Sequence, residues 1–375
     1  MRKPNLMGLD QDEARFLSRV MTMGTGTSLP VVMQPSEFAR LIGIIYRDNG
    51  KGPELQAAHP GLWEQIDPGK DYYDIPESWF LEPVRLVQGQ HAALFMTGLE
   101  QIEDFKTYLR CLSELHKRRR KYSLILHAQP MPTMVQVSPR ALIEYGNVDP
   151  QALASWLTWR KFFYDLDNRS AQETGYLFEP ILAAAIGGEP QGPRTLVVRR
   201  TDDASKGRQV DCWKVAADGV SKPLAYEFKL RVTIAASGQG RFGEEISFAE
   251  DAKNSKAIPV LLVLDPTMNP RLSELQTAYE ARGGHAYLGD AAWQHLEDEA
   301  GKTMAKFIET YVRQPIKAIS LFEQQIDEQG RKRLQLLPLQ ANYSVDQLTF
   351  KLGDFERRIA RREDPGLAED SEAPS

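Results

Sequence analysis

Apolar positions return every three or four residues through Ile102, Phe105, Leu109, Leu112 and Leu115, which predicts an amphipathic helix over 98–122. It ends in a basic cluster, His116 to Lys121. From Met1 to about Pro150 the pattern stays mostly helical, broken by Pro- and Gly-rich pieces such as 48-DNGKGP-53. Near Asp149 the pattern changes. A helical run over 149–168 leads into a second over 170–188, with Ser170 as its expected N-cap and Gly187-Gly188 as its stop.

Strand-like runs follow at 195–200, 209–217 and 223–234, the last two joined across Asp218-Gly219, a strong hairpin signal. After 238-GQGRFG-243 a helix is expected to about Lys256, then an apolar strand 257–265, a helix 270–284 and a short strand 285–289. The order is helix, three strands, helix, strand, helix, strand. An antiparallel meander extended by a crossover helix needs a parallel neighbour, so the expectation is an α/β (α+β) fold with a central mixed sheet flanked by helices. Past Asp290 the pattern is helical again, with a small strand pair near 331–339. The expected divisions are a mainly helical region 1–148, a core 149–330, an extension 331–362 and an acidic disordered tail 363–375.

Composition bounds the function only loosely. With 375 residues the chain exceeds one minimal module, and 42% hydrophobic with 26% charged residues describes a chain able to bury a sizeable core. The formal charge of -5 is supplied by the tail, where Glu363, Asp364, Glu369, Asp370 and Glu372 stand without a base. The body is neutral, which neither requires nor forbids a polyanion partner. Cys111 and Cys212 show no CxxC spacing, so neither a disulfide framework nor a cysteine zinc site is expected. The amino terminus has acids where a signal peptide needs an apolar run, and no stretch approaches the ~18 apolar residues of a membrane span. A cytoplasmic protein with no membrane partner is expected.

The candidate chemistry lies in the hairpin. Folding back at Asp218-Gly219 sets Asp211 beside Glu227, and strand alternation puts Glu227 and Lys229 on one face with Phe228 on the other. Two carboxylates converging on one point make a hard oxygen site of the kind that holds Mg²⁺ with waters and a substrate phosphate. A nearby lysine can orient or deprotonate a bound water. A Glu-x-Lys inside an otherwise buried strand is costly unless its charges are paired or bind something; the plainer alternative is a solvent-facing ion pair.

Val210-Asp211 followed by Glu227-Phe228-Lys229 resembles the PD-(D/E)xK nuclease superfamily, with Val210 where the name has proline. The resemblance extends over about 171–290 and includes an extra acid in the preceding helix, here Glu179 in GYLFEPILAAAIGG. With no helicase or methyltransferase motif, the chain is similar to stand-alone type II restriction endonucleases, and its GYLFEPIL, QVDCW and YEFKLR segments to ApaLI-like enzymes. The resemblance implies Mg²⁺-dependent hydrolysis of double-stranded DNA at a short palindromic site, GTGCAC if ApaLI-like, leaving 3′-hydroxyl and 5′-phosphate ends. It also implies a homodimer, with residues 1–148 serving recognition or dimerisation. Asp211 and Glu227 would hold the metal, Lys229 would position the water and Glu179 would assist. Lys206, Arg208, Arg231, Gln239 and Arg241 border the same region as candidate DNA contacts.

Other readings compete. Residues 238-GQGRFG-243 match the dinucleotide-binding GxGxxG, follow a strand and open a helix, with Asp265 further on. Against it, Glu227, Lys229 and Arg231 alternate along a strand that should be apolar, Glu244-Glu245 would repel pyrophosphate, and the meander is not the start of a doubly wound sheet. A DNA-binding protein with a vestigial nuclease core is another alternative, as is a repair nuclease that acts on ends or structures. The His116–Lys121 cluster reads either as a phosphate grip or as a solvated helix end favoured by the macrodipole. No P-loop ending, HxxxH pair or GxSxG elbow occurs.

Overall fold

The computed structural model describes residues 9–24, 29–87, 89–216, 218–230, 238–265, 270–322 and 336–362, with short pieces at 325–326, 329 and 332–333. The acidic tail 363–375 and Arg231 lie outside these residues, and for Gln239 and Arg241 only the helical backbone is described.

The principal helices of the first 128 residues are α1 (Gln11–Met21), α2 (Pro35–Asp48), α3 (Gln90–Gln101) and α4 (Phe105–Ala128). The single helix expected over 98–122 is therefore two. Asp104 between them takes a left-handed φ of 57°, a conformation a continuing helix does not tolerate. The basic cluster is not the end of a helix, since α4 runs seven residues past Lys121, and of its six residues only Arg119 is exposed. His116, Lys117 and Lys121 are buried. His116 lies 3.3 Å from Glu37, Lys117 donates to the Arg19 and Thr22 carbonyls at 2.8 and 3.1 Å, and Arg118 sits 2.9 Å from Glu173. Buried cations need such partners, because desolvation without them costs several kcal/mol.

α5 (Pro150–Ala185) is one helix of 36 residues where two were expected. Asp149 caps it, accepting from the amides of Gln151 and Ala152 at 2.9 and 3.1 Å. Ser170 is no cap: it lies inside the helix and donates to the Asp167 carbonyl at 2.9 Å. No Gly or Pro near it stops the helix, and Leu166 and Glu173 keep the buried face running across the expected break.

Next come β1 (Glu189–Gln191), β2 (Val210–Lys214), β3 (Leu224–Lys229), α6 (Gly238–Asn254), β4 (Ile258–Val263), α7 (Pro270–Glu280), β5 (His285–Leu288) and α8 (Asp290–Ile308). The sheet order equals the chain order. β1–β2 and β2–β3 are antiparallel, β3–β4 and β4–β5 parallel. This is the expected mixed sheet with one displacement: the first strand is Glu189–Gln191, and 195–200 is irregular chain whose Arg199 forms a lone bridge to Gly207. Gly188 permits the close approach that starts β1, since a Cβ there would sit 2.3 Å from Cys212 Sγ. The glycines of 238–243 form the first turns of α6 itself, not a loop ahead of it.

One buried cluster joins the N-terminal helices to a face of the sheet through Cys212, Tyr226, Phe228, Val260 and Leu262. The opposite face, with Val210, Ala225, Leu261 and Val263, is covered by Phe248 of α6 and Leu275 and Tyr279 of α7. Each large apolar side chain so buried contributes about 1.5–3 kcal/mol. The small strand pair expected near 331–339 is present as Lys332–Arg333 against Gln325–Ile326, and beyond it β6 (Leu339–Tyr343), β7 (Gln347–Leu352) and β8 (Phe355–Ala360) make an antiparallel sheet. It packs Leu348 and Ile359 against Leu126 of α4 and Phe162 of α5. Among the described residues no helix is long and apolar enough to cross a membrane.

Candidate active site

The site forms where β2 and β3 part. Their ladder pairs Lys214 with Leu224, Trp213 with Ala225 and Cys212 with Tyr226. One residue beyond it, the buried Asp211 substitutes its side chain for a main-chain acceptor: Oδ2 takes the Phe228 amide hydrogen at 2.8 Å. That bond fixes the carboxylate against the strand and leaves Oδ1 for another ligand. Alternation along β3 sends Tyr226 and Phe228 into the core and Glu227 and Lys229 to the face that α6 covers. Lys229 Nζ lies 2.5 Å from Glu227 Oε1 and 3.0 Å from Glu245 Oε1 on α6. Glu179 of α5 adds a fourth carboxylate, near enough for the Glu227 charge to act on it.

Crowding sets the protonation states. Burial pushes the Asp211 carboxyl well above its ordinary range, and the Glu227 and Glu179 charges add to this against Lys229 and the Phe228 amide. Burial, followed by Glu227, raises Glu179 to about 7, with Lys229 opposing. Glu245 moves up by the same two causes. For Lys229 burial acts downward, but Glu227, Glu245 and Asp211 outweigh it and hold the ammonium protonated far past neutrality. In this state Lys229 is a proton donor and a fixed positive charge, not a base.

Four carboxylates around one ammonium leave excess negative charge, and all the donors are hard oxygens, the set that suits Mg²⁺ or a similar divalent cation. Among the described residues no three acidic, histidine or cysteine groups close on one point. A cation here would rest on Asp211 and Glu227 and complete its shell with water or phosphate, as Mg²⁺ prefers.

The structure thus brings together Asp211, Glu227, Lys229 and Glu179. It adds Glu245, which the sequence reading treated only as an obstacle to pyrophosphate. A signal was present: Glu245, Phe248, Ala249 and Ala252 follow 3.6-residue spacing, and all but Glu245 are buried, so Glu245 belongs to the inward stripe of α6. Tyr279 is a second addition. Its buried hydroxyl finds no partner among the described residues, and burial, then Glu227, Glu245 and Asp211, push its phenol well up. The DNA-contact candidates separate. Lys206 is exposed and 3.1 Å from Asp203. Arg208 is turned inward, 2.5 Å from Asp251 and ion-paired to Glu244, so it ties the 201–208 loop to α6.

Residues 57–313 match the ApaLI-like restriction endonuclease family. Over 370 residues, 98% of each chain, the sequence is 57% identical to the type II restriction enzyme ApaLI of Acetobacter pasteurianus.

Proposed function

This chain belongs to the ApaLI-like restriction endonuclease family and is a type II restriction endonuclease, and from that premise we propose how it cuts DNA. Its substrate is double-stranded DNA, which it cleaves at the palindrome GTGCAC as a homodimer, each copy cutting one strand. Water adds to the scissile phosphorus and the bond to the 3′-oxygen breaks, leaving a 3′-hydroxyl and a 5′-phosphate. The observation that carries the assignment is Asp211 held by the Phe228 amide beside Glu227 and the Lys229 ammonium.

Asp211 and Glu227 would hold Mg²⁺, which when bound supplies a more acidic water and charge neutralisation at the phosphate. Lys229, fixed by Glu227 and Glu245, donates to the attacking water or to a phosphate oxygen and stabilises the charge that develops there. Glu179, near half-ionised at pH 7, is suited to accept a proton from that water. Phe228 and Tyr226, buried behind the strand, keep this geometry rigid.

Incubating supercoiled plasmid carrying one GTGCAC with the protein tests this reading, with Mg²⁺ or EDTA and beside Lys229→Ala. Linear product with 5′-phosphate ends at that sequence, absent with EDTA and with the variant, is expected. Cleavage elsewhere overturns the sequence assignment, and cleavage by the variant overturns the site.

A further inference from the structure

The face built by the short helices Met134–Val137 and Ala141–Glu144 and the outer side of α5 is unusually apolar for a surface. Val135 is 84% exposed, Leu142 83%, Ile143 87% and Tyr145 77%. Trp156 and Tyr164 on α5 add large rings that are 53% and 62% exposed. With whole aromatic side chains offering ~150–250 Å² each, these six expose on the order of 800 Å². That exceeds the ~300–600 Å² of an ordinary monomer's largest patch and matches the ~800 Å² that each partner gives to a standard interface.

The patch is one surface. Arg160 of α5 reaches Glu144 at 2.7 Å and lies over the Trp156 ring at 5.9 Å, which locks the short helix beside α5. Arg140 turns back to the Gln136 carbonyl at 2.6 Å. The charge of Arg160 is met by Glu144, and the exposed Arg140 stays at the rim of the face. Between the short helices and α5 lies a cavity of about 320 Å³ lined by Met134, Val137, Tyr145, Val148, Leu153 and Leu157. Protruding Leu142 and Ile143 beside an apolar cavity give knob and hole on the same surface, the arrangement a two-fold interface requires.

We propose that a second copy of this chain docks on this face, the Leu142–Ile143 knob of each copy entering the cavity of the other. The partner's identity rests on the proposed cutting of both strands of a palindrome, which needs two copies of a chain with one site. The surface itself rests on area and shape.

Sedimentation velocity on the full chain without DNA tests it, with wild type, Ile143→Glu and Val135→Lys. Both side chains are more than four-fifths exposed, so neither substitution disturbs a core, and circular dichroism checks that. The wild type should be a dimer at low micromolar concentration, and each folded variant should dissociate roughly 100-fold more readily or beyond. A monomeric wild type, or folded variants as dimeric as wild type, overturns the proposal. The measurement uses no substrate, so a protein that dimerises through this face yet cuts no DNA would sink the functional reading and leave this one standing. On a one-site plasmid the variants should nick more and linearise less.

Discussion

Glu179→Gln removes one of four carboxylates while keeping the side chain's shape, and its effect on the metal-free protein follows from the raised pKa. A carboxyl at about 7 in the folded chain against 4.5 as its ordinary value binds its proton more tightly when folded. The sign is therefore fixed: the stabilisation is complete below pH ~4.5 and disappears as the pH rises through ~7. At ~1.4 kcal/mol per pH unit, the anion at pH 8 costs the fold about 3 kcal/mol, an upper figure because part of the side chain meets water. For a chain of this size that is roughly 3 °C in Tm. In EDTA, Glu179→Gln should melt a few degrees above wild type at pH 8 and within about one degree of it at pH 4.5. Added Mg²⁺ should raise wild type more than the variant, because the cation offsets the same repulsion. Scanning calorimetry at several pH values reads all three. A variant that melts at or below wild type at pH 8, or a difference independent of pH, refutes the crowded-carboxylate account.

Lys229→Ala should cut at least ~10³-fold more slowly in single-turnover assays. It should also melt lower in EDTA, because Glu227 and Glu245 lose the charge between them. Glu245→Gln, which leaves a weaker partner for Lys229, should lose cleavage rate with little change in DNA affinity measured in EDTA; loss of affinity alone would place Glu245 outside the site. Arg208→Ala should destabilise by about 3 kcal/mol in denaturant titration, since it leaves the buried Asp251 carboxylate without a cation and with the Thr201 amide as its remaining partner among the described residues. A normal melt with a shallower salt dependence of DNA binding would instead make Arg208 a phosphate contact. Gly188→Ala should lower stability by about 1–3 kcal/mol, because its Cβ would collide with Cys212 one residue from Asp211.

The sequence signals that proved legible were local or periodic. Asp218-Gly219 between two strand patterns located the β2–β3 hairpin, and the crossover helix after it demanded a parallel neighbour, which is β4. With those in place Asp211, Glu227 and Lys229 could meet, and Glu179 followed from the preceding helix. What failed depended on tertiary contacts. Ser170 resembled a cap, but the α4 packing surface carries α5 straight through it. The apolar run near 195–200 looked like a strand, yet the sheet edge takes Glu189–Gln191, because Gly188 alone allows that close approach to Cys212. Glu245 needed α6 to be laid across β3, and the buried role of the His116–Lys121 cluster needed Glu37 and Glu173 to be brought in from distant helices.

The central claim is that Asp211, presented to the substrate through the Phe228 amide, is indispensable for hydrolysis and not for binding or folding. The most direct measurement is the single-turnover rate of Asp211→Asn at saturating enzyme on a duplex with one GTGCAC in Mg²⁺, with duplex affinity in EDTA as the companion value. A rate lower by three orders of magnitude or more with affinity unchanged is predicted. Cleavage within tenfold of wild type would contradict the account.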